Sequence, residues 1–246
     1  WLKLYDRNPN YTLLVDKYEV RKIIKNKIGE EFLIPLLGVY NRFEDIDFSK
    51  LPHQFVLKPN HTSGDIFICK DKSKIDYKKL KKQVNSWLRR EYYWVHREWP
   101  YKNVKPRIIC EKYMVDESGN QLKDYKIFCF SGEPKIIQVD YNRFSGHKRN
   151  FYDTEWNYIP VSIERPSDPN VIIKRPKQLN EMLNLARVLS KNYPHVRIDL
   201  YYANDNIYFG EITFYHGSGF EKFLPESYNY QLGSWIELPF RKKENR

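Results

Sequence analysis

Cysteine is scarce in this chain of 246 residues. Cys69, Cys110 and Cys129 are an odd number, lack C-x-x-C spacing and sit in apolar, strand-like runs. A disulfide framework is excluded, and reduced, buried thiols in a cytoplasmic compartment are expected. Long apolar runs are also missing: the longest, Phe32 to Asn41, is far short of the ~20 residues that cross a bilayer. No basic-then-apolar segment opens the chain, so a soluble, unsecreted protein is expected. The first residue is Trp1 rather than Met, and a segment preceding it is expected. Neither G-x-x-x-x-G-K-[ST] nor G-x-G-x-x-G occurs, which excludes P-loop and Rossmann nucleotide sites. His53, His61, His96 and His195 lack metal-ligand spacing, and no Ser/His/Asp or Cys/His order stands out, which argues against zinc and hydrolase chemistry.

Positive charge is abundant. The chain has 42 Lys+Arg against 31 Asp+Glu, a formal net charge of +11, which calls for an anionic partner: nucleic acid, acidic lipid, nucleotide or acidic polymer. Aromatic residues make up 16%, so the charge belongs to a folded domain and not to a disordered basic tail.

Periodicity predicts a helix over 17–28, with Asp16 and Glu19 at capping-box spacing, and helices over 76–90 and 179–189. Strands are expected at 36–40, 54–58, 66–69, 108–111, 126–130 and 135–140, with a turn at Ser131-Gly132-Glu133. Residues 150–177 read as a Pro-rich irregular stretch, and 196–202 with 207–213 as a final hairpin. Helices and strands mix without strict alternation, which predicts an α+β fold.

The last hairpin is the most informative segment. If its turn centres on Asp205, Asp199 lies directly opposite Glu211, with Cβ atoms ~4.5–5.5 Å apart, and two like charges destabilise the sheet unless something cationic sits between them. A divalent metal suits that position, and Arg197, Tyr201 and Thr213 share the same patch by alternation. The alternative is a solvent-facing hairpin whose acids pair with nearby Lys or Arg. The loop Tyr215-His216-Gly217-Ser218-Gly219 offers backbone donors for an anion, or is a plain turn. Lys58 ends a strand and feeds the His61-Thr62-Ser63-Gly64 loop, an arrangement that can cover a polyphosphate or be an ordinary turn with a surface lysine. Segment 89–107 interleaves bases with aromatics that could stack bases or sugar rings, or form core and cleft wall.

Taken in order, Asp16-Lys17, Leu57-Lys58-Pro59 with its loop, Glu111-Lys112-Tyr113-Met114, Asp124, Arg197-x-Asp199 and Glu211-x-Thr213 resemble the signature of ATP-grasp ligases. Phe55 to Asp71, Arg97 to Lys102, Lys123 to Lys126, His147 to Asp153 and Tyr208 to Glu211 are similar, more narrowly, to the teichuronopeptide-biosynthesis (TupA-like) branch. The likeness runs through nearly the whole chain.

The resemblance implies an ATP-grasp fold of two α+β lobes with the nucleotide between them. It divides the chain into an N-terminal helical segment (1–50), a small lid subdomain (51–115) and a C-terminal catalytic subdomain (116–246). ATP and Mg²⁺ are the implied cofactors. Lys17 and Lys58 would hold phosphates, with the His61, Ser63 and Gly64 loop. Glu111 and the backbone at Tyr113 and Met114 would hold adenine, and Asp124 the ribose. Asp199 and Glu211 would ligate Mg²⁺, with Thr213 standing where many ATP-grasp ligases have Asn. Arg197, Arg149 and Lys126 would be the catalytic group, Arg149 binding a substrate carboxylate from a basic loop.

The activity so implied is carboxylate–amine ligation through an acyl phosphate, joining an amino acid to an acidic sugar or peptide in cell-surface polysaccharide synthesis. The alternatives are phosphotransfer to a sugar hydroxyl and a non-enzymatic basic module that binds glycan or RNA. Expected partners are a nucleotide, an amino acid and an acidic glycan, without nucleic acid, in the cytoplasm and in peripheral association with the inner membrane surface.

Overall fold

The computed structural model describes residues 1–115, 122–141 and 146–239. Two compact units divide the chain, one made of Trp1 and Lys3–Leu122, the other of Leu2 and Lys123–Arg246.

The first unit opens with helices α1 (Leu2–Tyr5), α2 (Tyr11–Val15) and α3 (Val20–Lys27). Helix α3 starts three residues later than its periodicity suggests. Asp16 Oδ1 accepts from the backbone N–H of Tyr18 (2.8 Å) and Glu19 (3.2 Å), so the acid caps a turn over 17–19 and the helix begins behind it. Strands β1 (Leu36–Tyr40), β2 (Phe55–Pro59), β3 (Phe67–Cys69) and β4 (Ile108–Lys112) form an antiparallel sheet in the order β1-β4-β2-β3. Helix α4 (Tyr77–Leu88) covers it, capped by Asp76, whose side chain accepts from Lys79 N at 2.9 Å. Its Leu80, Val84 and Trp87 are buried with Phe55, Leu57, Ile108 and Cys110, leaving Lys78, Lys79, Lys81 and Lys82 outside. A short helix α5 (Tyr93–His96) lies between α4 and β4.

The second unit is built on β5 (Lys123–Phe130), β6 (Glu133–Tyr141), β7 (Lys148–Tyr152), β8 (Tyr158–Ile159), β9 (His195–Ala203) and β10 (Asn206–Thr213). They form one antiparallel sheet in the order β10-β9-β5-β6-β7-β8. Helix α6 (Leu179–Ser190) packs on β5, β6 and β9 through the fully buried Leu179, Met182 and Ala186. Helix α7 (Ser227–Ser234) contributes Leu232 to an aromatic cluster with Phe128, Phe130, Phe151 and Phe223.

Two expectations change here. Lys148 and Arg149 open strand β7 and are not part of a loop, and β8 lies inside the stretch read as irregular. Both strands are too short to leave a clear alternation in the sequence. The β9–β10 hairpin turns on two residues, Asn204 and Asp205, both in the left-handed region (φ 52 and 58), which is a type I′ geometry. Asn206 therefore pairs with Ala203, one place away from a turn centred on Asp205, until a bulge at Gly210 restores the offset and sets Asp199 opposite Glu211. The expected pairing is present, reached through a tighter turn and a compensating bulge. Glycine is required at the bulge because a Cβ at 210 would lie 2.9 Å from the Asp199 carbonyl oxygen. Among the described residues no helix is long and apolar enough to cross a membrane.

Candidate functional site

In the first unit the sheet places Lys58 of β2 and Glu111 of β4 on adjacent strands, and Lys58 Nζ lies 2.7 Å from Glu111 Oε2. Arg21 of α3 reaches the other oxygen of Glu111 at 3.3 Å and donates to Ile34 O at 2.7 Å. Glu111 is thus a buried acid between two cations. Lys17 is tied to the loop that follows Lys58: its backbone N–H donates to Asn60 O (3.1 Å), and its Nζ to Thr62 O (2.5 Å). Asn60, fully buried, is the pin of that loop. Its side chain accepts from Arg107 N (2.7 Å) and donates to Lys105 O (3.0 Å).

His61 does not project its ring from the loop. The ring is buried, with Nδ1 at 3.2 Å from Asn60 Oδ1 and Nε2 at 3.1 Å from Trp87 O, and burial pushes its pKa below the ordinary value. The imidazole serves the loop's internal structure and leaves only its backbone for a ligand. Ser63 and Gly64 form the exposed tip, where Gly64 takes φ +80. Tyr113 and Met114 follow β4 half-buried and outside any regular element. Asn60 and Arg21 escape sequence reasoning because their partners lie 45 and 90 residues away.

In the second unit a polar face runs across the sheet, opposite the face that packs on α6. Period-two alternation puts Asp124 and Lys126 of β5, Arg197 and Asp199 of β9, and Glu211 and Thr213 of β10 on that side. Register aligns Lys126 with Asp199, and Asp199 with Glu211. Arg197 binds Asp199 in a two-pronged pair, Nε to Oδ1 and Nη2 to Oδ2, each 2.7 Å. The same Nη2 points at Thr213 Oγ1 (3.2 Å) and Glu211 Oε1 (3.5 Å). The cation between the opposed acids is therefore a guanidinium. Lys126 Nζ completes the set at 2.6 Å from Asp124 and 2.9 Å from Asp199.

Burial sets the electrostatics of this group. It works to lower the Lys126 pKa, but Asp124 and Asp199 outweigh it and hold the ammonium charged. It also opposes charge on Arg197, where Asp199 dominates and raises the pKa. Burial pushes the Asp199 carboxyl above its ordinary range, against the pull of Arg197 and Lys126. Among the described residues no three His, Cys, Asp or Glu side chains are placed so that together they could hold a metal ion. A divalent ion here would rest on Asp199 and Glu211 with Thr213 beside them and oxygens from solvent or phosphate for the rest. That hard-oxygen, partly open donor set suits Mg²⁺.

Arg149, on β7, joins this group through Asp140, whose Oδ2 lies 3.9 Å from Lys126 Nζ. Its Nε donates to Asp140 at 2.8 Å, and Nη1 meets Ile163 O (3.3 Å) and Glu164 (3.2 Å). Asp140, buried on β6, also accepts from Gln138 (2.9 Å) and has His147 Nε2 at 3.4 Å. Sequence reasoning missed Asp140, whose signal was its alternation with Gln138 on one strand. The 215–219 loop has Gly217 and Ser218 in the left-handed region. His216 Nδ1 pairs with Glu221 at 2.8 Å, and the Glu221 side chain fills the space that a Cβ on Gly217 would occupy. The loop read as either an anion nest or a plain turn thus carries an acid of its own chain at Gly217.

A model of the family described as TupA-like ATPgrasp matches residues 1–237. The chain belongs to the TupA-like ATP-grasp family. No curated protein matches it. Among solved structures, this TupA-like chain is similar to D-alanine–D-alanine ligase from Bacillus anthracis complexed with ATP. The two share 16% identity at a TM-score of 0.47, over 82% of this chain and 53% of that one. It is also similar to N5-carboxyaminoimidazole synthetase from Staphylococcus aureus complexed with ADP, at 13% identity and a TM-score of 0.48, over 82% and 44%. A third, the ATP-grasp ligase PsnB complexed with a precursor variant, Mg and ADP, gives 8% identity and 0.47 over 83% and 51%. The TupA-like chain spans about half the length of the solved structures it matches. Its fold is that of the ATP-grasp superfamily, with mixed helices and antiparallel sheets.

Proposed function

We propose that this protein is an ATP- and Mg²⁺-dependent carboxylate–amine ligase that joins an amino acid to an acidic sugar or peptide in cell-surface polysaccharide synthesis, working in the cytoplasm. The observation that carries the reading is the buried Arg197 set among Asp199, Glu211 and Thr213, with Lys126 on the next strand. Two carboxylates able to hold a hard cation beside two buried cations are what phosphoryl transfer to a carboxylate needs, since that chemistry is mostly positioning and charge neutralisation. Membership of the TupA-like ATP-grasp family supports the nucleotide.

In the first unit Lys17 and Lys58 bind phosphate oxygens, Lys58 exchanging its bond to Glu111 for them. The backbone of residues 61–64 supplies further donors, and Glu111 with the backbone at Tyr113 and Met114 holds adenine. In the second unit Asp124 takes the ribose, while Asp199 and Glu211, with Thr213 alongside, hold Mg²⁺, which supplies neutralisation of phosphate charge. A substrate carboxylate attacks the γ-phosphorus, the bond to the bridging oxygen breaks, and ADP leaves. Arg197 and Lys126 stabilise the acyl phosphate and the oxyanion formed when the amine attacks its carbonyl carbon. Phosphate then departs, the ammonium proton is lost, and an amide remains. Arg149, oriented through Nε by Asp140, takes the carboxylate of the acidic substrate in place of the half-exposed Glu164.

The test is ADP release from Mg-ATP with amino acids and uronic-acid oligosaccharides, singly and together, beside Glu211→Gln. ADP, free phosphate and an amide product only when amine and carboxylate are both present, with loss in the variant, is the expected result. Phosphate retained on the sugar would make the protein a kinase. Glycan or RNA binding that Glu211→Gln leaves untouched, without turnover, would make it a binding module.

A further inference from the structure

The aromatics interleaved with bases after α4 do not share one fate. Tyr92, Tyr93 and Trp99 are half-buried, but Trp94 and Val95, adjacent on α5, are 53% and 55% exposed. Cations surround them. The Arg97 guanidinium lies 4.3 Å from the centre of the Trp94 ring and 5.7 Å from that of Tyr93, and Lys102 Nζ lies 5.5 Å from Tyr93. Arg89, Arg90 and His96 are exposed in the same segment. Residues 70–107 hold 13 Lys+Arg against 4 Asp+Glu, a net +9 and so most of the chain's +11. Arg97 keeps its place over the indole in a left-handed conformation, φ 57, one that a side chain rarely adopts.

We propose that this patch docks the protein on an anionic phospholipid surface, with Trp94 and Val95 entering the headgroup boundary and Arg97, Lys102 and Arg89 facing the lipid phosphates, while Arg90 is held by Asp65 at 2.6 Å. Charge complementarity selects an anionic partner. The apolar pair selects a bilayer over a glycan. Val95 offers nothing to a sugar, and Arg97 already occupies one face of the indole, so a sugar would gain from this pair less than a bilayer does. Tryptophan flanked by arginine and lysine matches the composition of interfacial anchors, where the ring sits at headgroup depth and long cationic stems reach phosphate. A single short helix with two apolar side chains gives weak, reversible binding that depends on the surrounding cations.

The inference is independent of the ligase reading, and its test uses no nucleotide. The full chain is floated with phosphatidylcholine vesicles, with or without phosphatidylglycerol, at low and high salt. It should bind only the anionic vesicles, lose binding as salt rises, and partition about tenfold more weakly as Trp94→Ala/Val95→Ser. Thermal unfolding should be unchanged by that variant. Brominated phosphatidylglycerol should quench the wild-type tryptophan fluorescence, with the quenching reduced in Trp94→Phe, a variant that keeps an aromatic ring. Three outcomes overturn the proposal: no partition onto anionic vesicles, partition that the double variant leaves unchanged, or binding of an acidic polysaccharide that depends on Trp94 while vesicles are ignored.

Discussion

Replacing Arg197 with methionine removes the cation from between two acids while keeping an unbranched apolar stem. Four bonds go: two to Asp199 at 2.7 Å, one to Thr213 at 3.2 Å and one to Glu211 at 3.5 Å. Asp199, 1% exposed, then keeps Lys126 at 2.9 Å as its cationic partner, while Glu211 still faces it across the ladder. Breaking one side of a buried ion pair costs about 3–5 kcal/mol. Lys126 and the partial exposure of Glu211 place this case near about 3 kcal/mol, a fall in Tm of about 6–12 °C for a chain of this size. The same change makes the acids a better cation site, because the guanidinium no longer competes. Mg²⁺ at about a hundred times its Kd should return about 2.7 kcal/mol, and Mg²⁺ should raise the Tm of the variant more than that of the wild type. Thermal unfolding at neutral pH, with and without Mg²⁺, reads both effects. A variant that melts with the wild type, or that responds to Mg²⁺ no more than the wild type, would refute the account of the acid pair as a cation site.

Gly210→Ala forces a Cβ to 2.9 Å from the Asp199 carbonyl oxygen and 3.2 Å from the Tyr201 ring. A loss of about 1–3 kcal/mol in stability is expected, and a fall in ADP release at temperatures where the variant is fully folded, because the bulge aims Glu211; normal turnover in a folded variant would contradict it. His195 is buried against Phe130 with Nδ1 at 2.9 Å from Cys129 O, and burial, followed by repulsion from His216, pushes its pKa down to about 3. Below an unfolded value of about 6.5 the unfolded chain binds a proton that the folded one refuses, so stability is lost as the pH is lowered, by up to about 1.4 kcal/mol per unit. Urea unfolding between about pH 6 and about pH 4 should therefore show a shallower slope for His195→Gln, and parallel slopes would be evidence against the neutral buried ring.

Short-range regularity made much of this molecule legible in its sequence. Leu80, Val84 and Trp87 repeat at helical spacing and are the buried stripe of α4; Leu179, Met182 and Ala186 do the same for α6. The Asp199–Glu211 pairing follows from strand alternation, although a shift in the turn and a shift at Gly210 cancel to produce it. Composition cannot show such cancellation, because the φ angles at Asn204 and Asp205 and the close approach at Gly210 are properties of the folded hairpin. The rest was hidden by distance along the chain. Arg149 reads as a free cation until Asp140, Glu164 and the strand pairing of β6 with β7 are in place. His61 reads as a loop donor until Trp87 O, 26 residues on, claims its ring.

The position of β1 changes how this protein could be shortened. Its residues, Leu36 to Tyr40, precede the rest of their sheet, yet they lie along the outer side of β4 and pair from Tyr40 with Ile108 back to Leu36 with Glu111. A version trimmed to begin after residue 50 would turn β4 from an interior strand into a bare edge, with Ile108, Ile109 and Cys110 next to unpaired backbone. Such an edge recruits strands from other chains, and the acid that bridges Lys58 and Arg21 would sit on it. Excision of this four-stranded sheet from the protein has to take β1 along, or replace it with a strand that ends the sheet as quietly.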